Sequence, residues 1–291
     1  MGGRRGGLEG RRAGFSPASS SGLQTPAVRR NQREHVATEL DMSMQLSVLS
    51  VTVIALVACS GSPAQPDQAA EPARDAATTG RITGTVVVDG VVAAAAEIRF
   101  DADPQCMAIA SREARRAEHL VVGEANALQN VFAYVKHGLP AQSYPPPRES
   151  VVLDQQQCRY VPRVLGVQVD QPLTIRNSDP LLHTVHGGGT VNDRFNVGTP
   201  VQGMEVKRVF RAVEVMVPVT CDMHPWMNAY IGVLDHPFFD VTGASGRFSL
   251  AGLPPGVYVI EIWHERLGTQ TQEIEVAAGE TKDVTFTYTP S

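Results

Sequence analysis

The chain has 291 residues, of which 43% are hydrophobic and 19% are charged, and its formal net charge is −5. This length fits about two domains, and the acidic balance disfavours nucleic acid as a partner. The 26 glycines and 20 prolines are typical of a turn-rich β protein, and four cysteines are too few for a disulfide scaffold.

The first eighty residues predict export rather than a folded domain. Residues 1–41 are rich in Gly, Arg and Ser, and we interpret them as disordered or as an extension upstream of the true start. Residues 42–58 contain an apolar stretch of the length of a signal-peptide core, too short to span a bilayer. Residues 59–80 are rich in Ala, Pro, Asp and Gln and predict a flexible linker.

A cysteine directly follows the apolar stretch. The small residues before Cys59 resemble the lipobox of bacterial lipoproteins, in which this cysteine is lipidated. The resemblance implies a periplasmic lipoprotein that touches the membrane only through its lipid anchor, with the outer membrane favoured. An ordinary signal peptide followed by a chance cysteine is the alternative.

From residue 81 onward the chain alternates between short apolar segments and turn residues. This spacing predicts an all-β protein, with a β-sandwich over residues 81–236 and a smaller β-sandwich segment over residues 237–291. One segment rich in Ala, Arg and Glu, residues 108–120, predicts the only helix. The predicted strands are residues 82–89, 97–100, 131–135, 150–153, 164–169, 172–177, 207–212, 213–219, 229–234, 247–250, 258–263, 270–276 and 283–288.

The segment from Cys221 to Met227 carries the clearest chemical signal. It offers a thiolate, the imidazole of His224 and a thioether in one short loop. Two histidines, a cysteine and a weak axial methionine form the blue-copper electron-transfer set. The segment around His183 and His186 can supply the second imidazole. Zinc is the competing metal, but structural zinc prefers four Cys or His ligands.

At these residues the sequence resembles the cupredoxins, the blue copper proteins, of the amicyanin and plastocyanin type. The pattern Cys-x-x-His-Pro-x-Met matches the short amicyanin ligand loop, and the His-x-Val-His pattern matches the segment in which the first His binds copper. The region also resembles a bacterial cupredoxin-like group of the methylamine utilisation type. The resemblance covers roughly residues 80–234 and implies a Greek-key sandwich holding one type 1 copper through His183, Cys221, His224 and Met227.

Two positions depart from the cupredoxin pattern. Thr184 stands where the family usually has the Asn that ties the ligand loops together. Residues 215–220 lack the aromatic residues that the family usually carries before the cysteine. These departures bear on the reduction potential rather than on the ligand set. The role of His186 stays open between an exposed neighbour of the site and a strand-packing residue.

The resemblance implies an electron carrier and not an enzyme, because four protein ligands leave no open position for a substrate. Its redox partner would be a c-type cytochrome or a periplasmic dehydrogenase. We expect Met223, Pro225 and Trp226 to form the rim where that partner docks. We expect His236 and His264 to be surface or turn residues.

Cys106 and Cys158 remain once Cys59 is assigned to lipid and Cys221 to metal. An even pair in an oxidising compartment predicts a disulfide. A second metal site that uses Cys106 with His119 is the alternative.

The C-terminal segment carries no catalytic motif. Its turns at residues 243–248 and 253–258 resemble the carboxypeptidase regulatory-like, or transthyretin-like, β-sandwich, and residues 81–90 resemble the first strand of that module. The copper region therefore either precedes this segment in tandem, which is the simpler arrangement, or is inserted within it. The segment motivates a second hypothesis, a non-redox copper- or carbohydrate-binding β-sandwich lipoprotein.

Overall fold

The computed structural model describes residues 78–100 and 103–290, so residues 1–58, Cys59 and most of the linker lie outside the described residues. The described residues form an all-β fold, which confirms the predicted class. Their strands and one α-helix are β1 (Gly80–Val88), α1 (Pro104–Ile109), β2 (Phe132–His137), β3 (Val151–Gln155), β4 (Tyr160–Val161), β5 (Val164–Gln168), β6 (Pro172–Asn177), β7 (His183–Gly187), β8 (Phe195–Thr199), β9 (Glu205–Val209), β10 (Glu214–Thr220), β11 (Asn228–Leu234), β12 (Phe239–Val241), β13 (Arg247–Leu253), β14 (Gly256–His264), β15 (Gly268–Val276) and β16 (Thr281–Tyr288).

Strands β3 to β11 build a sandwich of two sheets. One sheet has the order β5-β11-β10-β7-β8 and the other has the order β4-β3-β6-β9. Apolar side chains from both sheets, such as Leu153, Leu173, Val185 and Ile231, are buried in one shared core. Cys221 and Met227 belong to the same core, so the predicted ligand loop is anchored in the sandwich.

The other strands build a second packed unit. The sheet β13-β1-β16 and the sheet β12-β2-β14-β15 enclose a separate core that includes Val86, Phe248, Ile260 and Phe286. Strand β1 alternates buried and exposed residues as the sequence pattern predicts, and it pairs antiparallel with β13 and parallel with β16.

This pairing bears on how the chain is organised. Strands β1 and β2 precede the β3–β11 sandwich along the chain, whereas their partner strands β12 to β16 follow it. The strand pairing is therefore that of the inserted arrangement. The boundaries at residues 80 and 236 stay predictions.

The predicted helix at residues 108–120 is wrong. The helix instead covers Pro104–Ile109, because Asp103 caps it by accepting hydrogen bonds from the backbone N–H groups of Gln105 and Cys106. Residues 112–115 form turns. Strands β7 and β8 were also missed, since polar and glycine residues interrupt their apolar pattern.

The two packed units meet through aromatic side chains. Phe132 from β2 and Phe239 from β12 stack on each other and lie against Gly166 of β5 and Gly232 of β11. Glycine is required at both positions, because a Cβ atom there would overlap these rings. Among the described residues, none belongs to a helix of the length and apolar character that crossing a membrane requires.

Candidate metal centre

Three predicted ligands come together at one end of the β3–β11 sandwich. His183 begins β7, and Cys221 and His224 lie in the loop between β10 and β11. One donor atom from each lies within 4.8 Å of the other two, and all three residues are buried. The Nδ1 atoms of His183 and His224 are 2.9 Å apart, and the Cys221 Sγ lies 3.7 Å from the His224 Nδ1.

The electrostatics of the cluster favour a thiolate. Burial alone would raise the pKa of Cys221, but hydrogen bonds with His183 and His224 outweigh it and lower that pKa to about 5. Burial would also lower the pKa of each imidazole. Hydrogen bonds to Asp179 and Cys221 instead raise the pKa of His183, and those to Cys221 and Asp103 raise the pKa of His224. A buried thiolate beside two imidazoles is a set of metal donors.

Met227, the fourth predicted ligand, is buried at the end of the same loop. The loop closes on itself, because the Cys221 N–H donates to the Met227 carbonyl at 3.3 Å and the Met227 N–H donates to the His224 carbonyl at 2.9 Å. The role of Met227 as a ligand stays a prediction.

Thr184 joins the two ligand segments. Its backbone N–H lies 3.4 Å from the Cys221 Sγ, and its hydroxyl lies 3.7 Å from the same sulfur. The hydroxyl also accepts a hydrogen bond from the Asp222 N–H at 2.7 Å. This threonine therefore makes a connection of the kind that the sequence pattern assigns to Asn.

Two carboxylates hold the outer edges of the imidazoles. Asp179 Oδ2 lies 2.9 Å from the His183 Nε2, and Asp103 Oδ2 lies 3.0 Å from the His224 Nε2. Sequence reasoning missed both residues. Asp179 stands four positions before His183 and could have been found from that proximity, whereas Asp103 lies 121 positions from His224 and carries only a helix-cap signal.

The predicted disulfide is confirmed, since Cys106 and Cys158 are bonded and buried. Cys106 therefore has no free thiolate, which removes the alternative metal site with His119. Cys221 is the free cysteine among the described residues.

The three predicted rim residues belong to the ligand loop but differ in solvent exposure. Met223 and Pro225 are exposed, whereas Trp226 is half-buried. The Trp226 ring lies 5.2 Å from the His224 ring and 4.9 Å from the Phe100 ring, centroid to centroid. Trp226 also lines a groove of about 470 Å³ that reaches Arg159, Tyr230 and Arg266.

The other histidines in the part of the chain that the structure describes lie outside the donor cluster. His186 is half-buried and its Nδ1 lies 3.1 Å from Asp222 Oδ1, so it is a neighbour of the ligand loop. His236 and His264, expected to be surface or turn residues, lie at turns but are buried rather than exposed. Each accepts a hydrogen bond from a nearby backbone N–H, and this bond holds a turn.

Comparison with known proteins identifies one segment. The family model of the carboxypeptidase regulatory-like domain matches residues 225–289. That range contains β12 to β16 and also β11, which pairs within the β3–β11 sandwich. No curated protein matches the chain.

Several solved structures are similar to part of the chain. A mutant of amicyanin in the Cu(I) form is 19% identical and covers 35% of this chain and 97% of its own, with a TM-score of 0.27. A purple cupredoxin from Nitrosopumilus maritimus is 19% identical over 29% of this chain and 97% of its own, with a TM-score of 0.25. A Cu-containing nitrite reductase from Thermus scotoductus is 17% identical over 35% of this chain and 26% of its own, with a TM-score of 0.27. Residues 225–289 thus match the model of the carboxypeptidase regulatory-like domain, and cupredoxins are among the partial structural neighbours of the chain.

Proposed function

We propose that this chain is a type 1 copper protein that transfers single electrons. The observation that carries the proposal is the buried cluster of one thiol and two imidazoles, with donor atoms within 4.8 Å of one another. His183, Cys221 and His224 would hold the metal, and Met227 would be a weak fourth ligand. Bound copper supplies a one-electron couple between Cu(II) and Cu(I).

The residues present fit a copper ion better than a zinc ion. The loop carries a thiolate and a thioether, which are the soft ligands that copper accepts. The lowered pKa of Cys221, about 5, keeps the sulfur ionised at neutral pH. The buried site excludes water, and its Nε2 hydrogen bonds fix both rings. A fixed donor set suits a metal that changes charge without changing its ligands.

Four protein ligands leave no position for a substrate, so we propose a carrier rather than an enzyme. Its partner would be a c-type cytochrome or a periplasmic dehydrogenase. That partner would dock on the apolar rim of Met223, Pro225 and Trp226, because electron-transfer contacts are small. A lipid on Cys59 would hold the protein in the periplasm, preferably at the outer membrane. The Cys106–Cys158 disulfide supports an oxidising compartment.

The test is the visible absorption of the full chain after addition of Cu(II), beside a Cys221→Ser variant. We expect intense thiolate-to-copper charge transfer in the wild type and none in the variant. Zn(II) gives no such colour. A wild-type protein that stays colourless with Cu(II) would refute the proposal.

A second candidate is a non-redox copper- or carbohydrate-binding protein. The groove lined by the half-buried Trp226 and Tyr230 favours it, because aromatic rings next to charged side chains in a groove suit sugars. Saturable glycan binding that survives Cys221→Ser, together with no reversible copper redox cycle, would favour this candidate.

A further inference from the structure

Both imidazoles of the candidate centre are oriented from outside by an aspartate. The outer nitrogen, Nε2, of His183 meets Asp179 at 2.9 Å, and that of His224 meets Asp103 at 3.0 Å. A carboxylate accepts a hydrogen bond, so each Nε2 carries the proton. In the neutral rings that would bind a metal, the lone pairs are then on the two Nδ1 atoms, which lie 2.9 Å apart beside Cys221. This is the tautomer that metal ligation through Nδ1 requires.

Each aspartate is fixed in turn by backbone N–H groups beside one half of the disulfide. Asp103 accepts hydrogen bonds from the N–H of Cys106 at 3.1 Å and from that of the preceding residue at 2.8 Å. Asp179 accepts hydrogen bonds from the N–H of Cys158 at 2.8 Å and from that of the preceding residue at 2.7 Å. The Cys106–Cys158 bond therefore joins the helix that Asp103 caps to the turn whose N–H groups Asp179 binds, although the cysteines are 52 residues apart.

Asp103 also lies between the His224 ring and solvent. Met223 and Pro225 on either side of His224 are exposed, yet His224 itself is only 3% exposed. The Asp103 side chain, 25% exposed, lies on its outer edge. A negative charge against that edge stabilises the more highly charged metal ion.

We propose that Asp103 and Asp179, each held by backbone N–H groups at one cysteine of the Cys106–Cys158 disulfide, are positioning residues that hold the two ligand imidazoles with Nδ1 inward and favour Cu(II) over Cu(I). This inference rests on the proposed copper function and deepens it. An outer-shell carboxylate raises the basicity of a ligand imidazole and fixes its ring. The disulfide fixes the two backbone segments that bind the aspartates relative to each other, so the two ring orientations depend on one another.

The experiment measures the Cu(II) and Cu(I) affinities of the full chain by competition with chelators, together with its reduction potential. The decisive variant is Asp103→Asn, since that side chain is partly exposed and its loss leaves no buried charge unpaired. The matched control is Asp222→Asn. It removes a carboxylate of the ligand loop that contacts His186 and Asn196 rather than a ligand imidazole. Thermal unfolding of the metal-free proteins verifies that both variants fold.

We expect Asp103→Asn to weaken Cu(II) binding by about 10–100-fold and Cu(I) binding much less. Each factor of ten by which the loss of Cu(II) affinity exceeds the loss of Cu(I) affinity raises the reduction potential by about 59 mV. Asp103→Glu, which keeps the charge, should recover part of the Cu(II) affinity. The variant Cys106→Ser/Cys158→Ser should also lose Cu(II) affinity, although neither cysteine is a ligand.

Equal copper affinities and potentials for Asp103→Asn and Asp222→Asn, in a wild type that shows the charge-transfer colour, would overturn this inference and leave the proposed function standing. A wild type without that colour would overturn both.

Discussion

At the scale of single residues, Thr184 connects β7 to the ligand loop of the candidate centre. Its hydroxyl accepts from the Asp222 N–H at 2.7 Å and lies 3.7 Å from the Cys221 sulfur. It therefore fixes the first turn of the ligand loop against β7. A side chain of equal shape without the hydroxyl would leave a backbone N–H without its partner.

We predict that Thr184→Val lowers the free energy of unfolding of the metal-free protein by about 1 kcal/mol and shifts the charge-transfer band of the copper form. Thr184→Ser keeps the hydroxyl and should stay near the wild type in both respects. Urea unfolding and visible absorption measure the two effects. If Thr184→Val and Thr184→Ser had the same free energy of unfolding and the same charge-transfer band, the hydroxyl would have neither effect.

At the scale of elements, Glu214 at the start of β10 holds the loop before β8. Its carboxylate accepts hydrogen bonds from the N–H groups of Thr190, Val191 and Asn192. Burial alone would raise the pKa of Glu214, but these hydrogen bonds lower it to about 2. A carboxyl whose pKa is lower in the folded state stabilises that state above its unfolded pKa. The contribution is lost as pH falls through the folded value.

We therefore predict that Glu214→Gln lowers the free energy of unfolding at pH 7 by about 2 kcal/mol. The difference from the wild type should shrink between pH 4.5 and pH 2, the ordinary and the lowered pKa. Urea unfolding at several pH values measures it. The control is Glu205→Gln, at an exposed residue of β9. If Glu214→Gln lowered the free energy of unfolding by the same amount at every pH, the result would contradict the charge-based explanation.

The Cys106–Cys158 disulfide links α1 to the turn between β3 and β4. Cys106 and Cys158 are 52 residues apart, and closing a loop of that length restricts the unfolded chain. We predict that Cys106→Ser/Cys158→Ser lowers the free energy of unfolding of the metal-free protein by about 4 kcal/mol. Reduction of the wild type with a thiol should produce a similar loss in a denaturant series. No loss from either treatment would refute this prediction.

At the scale of the whole molecule, an ion pair joins the β3–β11 sandwich to the β14–β15 turn. The Arg163 Nε and Nη2 contact the two oxygens of Glu265 at 2.5 and 2.8 Å, and both side chains are 8% exposed. Arg163 stands directly before β5, whereas Glu265 directly follows β14. A buried pair of this kind leaves an uncompensated charge when one partner is removed.

We predict that Glu265→Ala lowers the free energy of unfolding by roughly 3–5 kcal/mol, whereas Arg163→Met/Glu265→Leu costs less because no charge remains buried. The exposed pair Arg176–Glu205 is the control, and Glu205→Ala should cost below about 1 kcal/mol. If Arg163→Met/Glu265→Leu were less stable than Glu265→Ala, the result would contradict the claim that an unpaired buried charge causes the loss of stability.

The sequence predicts the local parts of this molecule well and the long-range parts poorly. The pattern Cys221-x-x-His224-Pro225-x-Met227 predicts a ligand loop because its donors are close along the chain. Alternating apolar residues likewise predict most strands. Asp103 was not predictable as a neighbour of His224, since that contact is made by the tertiary fold. The pairing of β1 with β16 is also long-range, and the sequence left it open as one of two arrangements, the tandem one being the simpler.

The most direct measurement is voltammetry of the copper-loaded full chain beside Cys221→Ser. We expect a reversible couple of one electron per chain in the wild type, absent from Cys221→Ser and retained in Asp222→Asn. A wild type with no reversible couple, or one that Cys221→Ser leaves unchanged, would contradict electron transfer through this site.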